Sequence, residues 1–140
     1  MPISKGSAQW QGGLKDGSGT MKAAHGPDLP YSLGSRFEGQ PASNPEELIG
    51  AGLAGCFSMA LALGLEQAGW KPTSIRTNAD VRIEKQGEGF AITTIELTSQ
   101  ATIPGADAAR FQAIAEETKK NCPVSKALAG TKITLKASLA

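Results

Sequence analysis

Residues 44–68 read NPEELIGAGLAGCFSMALALGLEQA. Asn44 is a good helix cap, Pro45 suits the first helical position, and Glu46 and Glu47 place negative charge where the helix dipole is positive. The spacing predicts one helix from Asn44 to Gln67-Ala68, stopped by Gly69. Between Leu48 and Leu65 the only polar side chain is Ser58. That length touches the lower limit for a membrane span. Gly50, Gly52, Gly55 and Gly64 interrupt the run, however, and the rest of the chain is patterned like a soluble protein, so a span is rejected. A helix that is apolar all round is a central helix, covered on every side.

The flanking sequence supplies part of that cover. Residues 3–10 and 18–24 bracket Lys15-Asp16-Gly17-Ser18, a hairpin signal. Residues 26–34 hold Gly26, Pro27, Pro30 and Gly34 and read as a loop, followed by an extended piece around Ser35-Arg36-Phe37-Glu38. Beyond the long helix, Ile75, Thr77, Ala79, Val81 and Ile83 alternate with polar residues, the clearest half-buried strand in the chain. After a turn at Gln86–Gly89, Phe90 and Ile92 lie in one phase and Ile95, Leu97, Ala101 and Ile103 in the other. The slip near Thr93-Thr94 predicts a β-bulge. Residues 107–120 form an amphipathic helix with Ala108, Phe111, Ile114, Ala115 and Thr118 on one face. Asn121-Cys122-Pro123 breaks it and starts a short helix through Leu128. A last strand alternates Ile133, Leu135, Ala137 and Leu139. Hairpin, long helix, antiparallel strands, helix and strand make an α+β domain over 1–140. One small sheet cannot wrap the 44–68 helix, so a second subunit is expected, giving an intertwined dimer.

Composition narrows the function. Fourteen basic and 13 acidic residues leave a net charge of +1, so no basic face for nucleic acid is available. Aromatics are only 5% against 17 glycines, which favours close backbone approach, including at a subunit interface. The N-terminus lacks the apolar core of a signal peptide, which places the chain in a reducing, cytoplasmic compartment. There, two cysteines are free thiols or a redox pair rather than a scaffold. With two Cys and one His, no ligand spacing suggests a metal site, and no haem, flavin or nicotinamide motif is present. His25, in a Gly-Pro loop, reads as solvated.

Cys56 lies mid-helix, where free cysteine is commonly a small core residue. Cys122 precedes Pro123 at a helix start, where unpaired N–H groups favour a thiolate. By position alone Cys122 is the more acidic thiol. Phe37, Leu48, Phe57, Met59 and Trp70 are candidates to line an alkyl pocket, although ordinary core is the better reading of each.

Arg36-Phe37-Glu38-Gly39, Asn44-Pro45-Glu46-Glu47-Leu48-Ile49-Gly50-Ala51, Ala54-Gly55-Cys56-Phe57-Ser58-Met59-Ala60-Leu61 and Asn121-Cys122-Pro123-Val124-Ser125 closely resemble the osmotically inducible protein C (OsmC) family, related to organic hydroperoxide resistance proteins. The resemblance covers essentially the whole chain. It implies an intertwined homodimer, with long central helices packed against antiparallel β-sheets, and a cysteine-based peroxidase that reduces organic hydroperoxides in oxidative and osmotic stress defence. By matching motif positions it makes Cys56 the peroxidatic cysteine, Cys122 the resolving cysteine, and Arg36 with Glu46 the pair that activates Cys56. This reverses the ranking by acidity. A buried mid-helix thiol needs a nearby cation to ionise, and Arg36 stays charged even when buried. No bound cofactor is implied; an external dithiol, of lipoyl type or another small thiol, would regenerate the enzyme.

Two rival readings are kept. In one, the chain is a small-lipid or fatty-acyl binding module with incidental cysteines. In the other, it is a disulfide oxidoreductase acting on protein thiols, for which the usual Cys-x-x-Cys is absent. The resemblance also raises a geometric question. Ten helical residues rise about 15 Å and leave two side chains roughly 80° apart around the axis. Glu46 can therefore serve Cys56 only if the helix breaks near Gly50-Ala51-Gly52 or if the pair comes from another subunit.

Overall fold

The computed structural model describes residues 1–140 and contains two compact units, Met1–Glu47 and Leu48–Ala140. In the first, β1 (Gly6–Gln11), β2 (Ser18–Ala23) and β3 (Leu29–Tyr31) form an antiparallel sheet in that order. The expected hairpin is present, with Gln11 opposite Ser18 and Asp16-Gly17 at the end of its loop. A side chain at Gly17 would collide with the carbonyl oxygens of Gln11 and Gly13, so this loop requires glycine there. The Trp10 indole donates to the Gly12 carbonyl at 3.1 Å and packs on Tyr31 with ring centroids 5.5 Å apart.

The segment around Ser35–Glu38 corrects the sequence reading. It is not extended: α1 spans Leu33–Phe37, and part of the predicted 26–34 loop is β3. The reason is a reciprocal cap. The Ser32 hydroxyl accepts from the Ser35 N–H, and the Ser35 hydroxyl accepts from the Ser32 N–H. The two serines close a first turn that weak apolar periodicity did not announce.

Helix α2 (Pro45–Gln67) matches its prediction and runs unbroken through Gly50 and Gly52. In the second unit, β4 (Ser74–Gln86) pairs antiparallel with β5 (Gly89–Thr102) across a turn that contains Gly87 at φ 59°. Arg82 faces Thr94 while Ile83 faces Ile92, so Thr93 is the extra residue of a bulge at the predicted phase slip. The chain then runs through α3 (Ala108–Asn121) and α4 (Pro123–Ala127) to β6 (Lys132–Leu139). β6 lies beside β5 in parallel. This pair departs from the expected all-antiparallel sheets, because a helical crossover returns the chain to the same end of its neighbour.

Leu53, Phe57, Leu61 and Leu65 form a fully buried stripe at four-residue spacing on α2. They share one core with Ile95, Leu97 and Ala101 of β5 and with Phe111 and Ala115 of α3. Gly50 admits β4 closely: a methyl there would lie 3.1 Å from Val81 Cγ2. By length and composition α2 could cross a membrane, but its leucine stripe is packed as a core helix is. The cover is one-sided, however. Met59 and Leu63 are exposed, and Gly52 and Gly55 have no neighbour within 4 Å beyond their own helix. Ser58, the lone polar side chain, donates to Thr77 Oγ1 at 2.7 Å, and Thr77 in turn bonds the fully buried Ser99 Oγ at 3.0 Å.

Candidate active site

The four predicted site residues form two pairs, one in each unit. Arg36 and Glu46 belong to the first. Ser35 ties α1 to the approach to α2: its hydroxyl donates to the Ser43 carbonyl at 2.7 Å, and its carbonyl accepts from the Asn44 side chain at 3.2 Å. Asn44 also caps α2 by accepting from the Glu47 N–H at 2.9 Å. These bonds set Arg36, near the end of α1, against Glu46 in the first turn of α2. Arg36 Nε donates to Glu46 Oε1 at 2.9 Å and to Oε2 at 3.3 Å, and Nη2 donates to Oε1 at 2.6 Å. The Glu46 side chain is 8% exposed and that of Arg36 is 37% exposed. The carboxylate is thus a buried anchor, and the guanidinium retains a face that it can offer to something else. The same guanidinium carbon sits 5.3 Å from the Phe37 ring centroid.

Cys56 and Cys122 form the second pair. Cys56 is partly exposed on α2, Cys122 is buried, and neither is in a disulfide. Cys122 ends α3, its N–H donating to the Thr118 carbonyl at 3.0 Å, and it caps α4, with Pro123 at the first helical position. The two thiols are near enough that each shifts the other's ionisation. Burial pushes the Cys56 thiol up; the Val124 N–H offsets part of this, and Cys122 adds to the rise through its hydrogen bond and its charge. Burial also pushes Cys122 up, but the Ser125 hydroxyl and N–H, the Cys56 thiol and the Val124 N–H together bring it below the ordinary cysteine value. The acidity order is the one that helix position predicts, with Cys122 the more acidic. A proton therefore stays with Cys56 unless a cation approaches it.

An open groove of about 710 Å³ runs between α2 and α3, with Ala60, Leu63, Gly64 and Ile114 along it, Arg110 at its rim and Cys122 in its wall. Arg110 stacks over Trp70 at 5.5 Å. Of the proposed alkyl-pocket residues, Phe57 is core, Trp70 is half-buried against the core, and Phe37, Leu48 and Met59 are exposed. His25 is exposed, as expected. Sequence reasoning gave no role to Ser125, although a serine three residues after a residue that caps a helix is the pattern of a capping contact.

The profile described as "OsmC-like protein" matches residues 37–136. The chain belongs to the OsmC family. It is 51% identical over 126 residues to "Peroxiredoxin OsmC" of Escherichia coli (strain K12), covering 89% of this chain and 88% of that protein. It is 33% identical over 102 residues to "Organic hydroperoxide resistance protein" of Xanthomonas axonopodis pv. citri (strain 306), covering 72% of this chain and 68% of that protein. Among solved structures, the organic hydroperoxide resistance protein OhrB of Bacillus subtilis superposes with a TM-score of 0.72 at 25% identity, covering 96% of this chain and 97% of that one. An OsmC-like protein from Mycoplasma pneumoniae gives 0.75 at 16% identity, covering 99% and 98% respectively. The chain's two cysteines, one on α2 and one at the α3–α4 junction, are its only redox-capable side-chain pair, and the Arg36–Glu46 ion pair is a separate feature of the first unit.

Proposed function

We propose that this chain is a thiol-dependent peroxidase that reduces organic hydroperoxides to alcohols. The juxtaposition of Cys56 and Cys122, near enough that each shifts the other's ionisation, in a chain with no other cysteine, is the observation that carries this reading. The names of its OsmC relatives support the substrate class. The Cys56 thiolate attacks one peroxide oxygen, the O–O bond breaks, and the alcohol leaves after taking up a proton. Cys56 is left as a sulfenic acid. Cys122 attacks that sulfur, water leaves, and a Cys56–Cys122 disulfide forms. An external dithiol of lipoyl type reduces it by exchange. Arg36 would stabilise the Cys56 thiolate and the charge growing on the peroxide, while Glu46 fixes the guanidinium.

The source of that pair is part of the proposal. α2 is continuous from Pro45 to Gln67, which removes the helix-break alternative. The exposed apolar face with Gly52, Gly55, Met59 and Leu63 suits a second α2 at close range. Two such helices packed antiparallel would bring each start beside the other's middle. Each site would then join Cys56 and Cys122 of one chain to Arg36 and Glu46 of its mate in a cytoplasmic homodimer serving stress defence. Nothing in the site favours lipid binding with incidental thiols.

The test is single-turnover oxidation by cumene hydroperoxide. Cys56→Ser abolishes peroxide consumption. Cys122→Ser still gives one fast turnover and leaves a sulfenic acid that dimedone traps. Full single-turnover activity in Cys56→Ser would overturn the assignment.

A further inference from the structure

Ser125 is buried, at 7% exposure, and Cys122 beside it is 1% exposed. The two side chains meet at 3.1 Å, and the Ser125 N–H points at the same sulfur from 3.4 Å. Ser125 Oγ bonds no carbonyl oxygen, so none competes for its proton. The ionisable groups that could otherwise govern Cys122 are few. Cys56 faces it from α2. Arg110 and Glu117 of α3 line the same groove, and Lys126 of α4 is exposed. The buried face of the sheet offers Ile95, Leu97, Ser99 and Ala101. None of the charged groups is a hydrogen-bond partner of Cys122. Within its own chain, a thiolate at this position depends for its stabilisation on neutral donors, and Ser125 supplies two of them.

We propose that Ser125 is a positioning residue for the resolving step, its hydroxyl holding Cys122 ionised and aimed at the Cys56 sulfenic acid. The inference rests on the peroxidase reading above. In that step Cys122 gives its thiol proton to solvent, and the thiolate electron pair forms the S–S bond. The Cys56 S–O bond breaks, and hydroxide leaves and takes a proton to become water. The same hydroxyl serves the reverse direction. When a reducing thiolate attacks Cys56 of the disulfide, Cys122 leaves as the thiolate, and a stabilised thiolate leaves faster. Cys56, the more accessible of the two sulfurs, is the one that an incoming thiol can reach.

The experiment follows disulfide formation after one equivalent of cumene hydroperoxide by stopped flow across pH, with Cys56 oxidation read separately in the same traces. In Ser125→Ala the midpoint of the resolving rate moves to higher pH. The rate falls about tenfold on the acidic side, the loss expected when a hydrogen bond to a charged group goes, and rejoins the wild type on the alkaline side. Ser125→Thr, which keeps the hydroxyl, restores the profile. A profile that superimposes on the wild type, or a uniform slowing at every pH, overturns the proposal while leaving the peroxidase reading intact. A second measurement needs no peroxide. In the Cys56→Ser background, ultraviolet titration of the Cys122 thiolate shifts upward on adding Ser125→Ala, and no shift overturns the proposal whatever the fate of the peroxidase reading.

Discussion

At the scale of single residues, the two thiols differ in acidity. Cys122 is the lower of the two thiols because neutral donors surround it; Cys56 is the higher because burial and its neighbour's charge oppose its ionisation. A group raised by desolvation titrates back down when a cation is brought to it. If Arg36 provides that cation, Arg36→Ala moves the pH midpoint of Cys56 oxidation upward. The rate then drops roughly a hundredfold near neutrality, the usual loss for one charge-stabilising donor, and recovers at alkaline pH. An unmoved profile in stopped-flow oxidation would place Arg36 outside the site. Arg36→Lys keeps the charge but loses the Nε and Nη2 contacts that Glu46 accepts, so partial recovery at best is expected. Sequence alone put forward Cys56, Cys122, Arg36 and Glu46 through motif positions, and it gave the acidity order through helix position. It did not reveal Ser125 or the Ser32–Ser35 cap, because a serine hydroxyl commits to a partner only when tertiary packing brings one within reach.

Among the elements, α2 is legible on its buried side and ambiguous on the other. The capping Asn44 and the stop at Gly69 were written in local chemistry, and so was the β5 bulge, as a change of phase. The parallel placement of β6 was not, since strand direction depends on how α3 and α4 carry the chain across. The glycines of α2 now divide by what they face. A methyl at Gly64 would lie 2.9 Å from Ile114 Cγ2, so Gly64→Val should cost about 1–3 kcal/mol by overpacking, visible as a lower Tm. Gly55 faces nothing within the chain, so Gly55→Leu should leave far-UV circular dichroism unchanged. If the exposed stripe receives a partner helix, the same change produces monomers in sedimentation velocity. A dimer that persists at low micromolar concentration would exclude this stripe as the interface.

For the whole molecule, the proposed division of each site between two chains has a solution test. Inactive Cys56→Ser subunits are mixed with inactive Arg36→Ala subunits under conditions of proven exchange. A mixed dimer has one site with both defects and one with neither, so activity partly returns; no return would favour sites built within one chain. Substrate preference belongs to this scale too, because apolar surface from several elements would meet the alkyl group. Each buried methylene contributes about 0.8 kcal/mol, and tenfold or more in kcat/KM for cumene hydroperoxide over hydrogen peroxide is expected. Equal values would contradict an apolar substrate site. The hydroxyl relay from Ser58 through Thr77 to Ser99 bears on how the molecule accommodates oxidation. It moors α2 to both long strands two residues beyond Cys56, as a guy line holds a mast. Tension from a new sulfur–sulfur bond then falls on the other anchor, the short junction where Cys122 ends one helix and begins the next. The amides of Asn121, Cys122 and Val124 should exchange hydrogen faster in the oxidised protein, while those of residues 54–60 keep their protection: the moving jaw and the fixed jaw of one clamp.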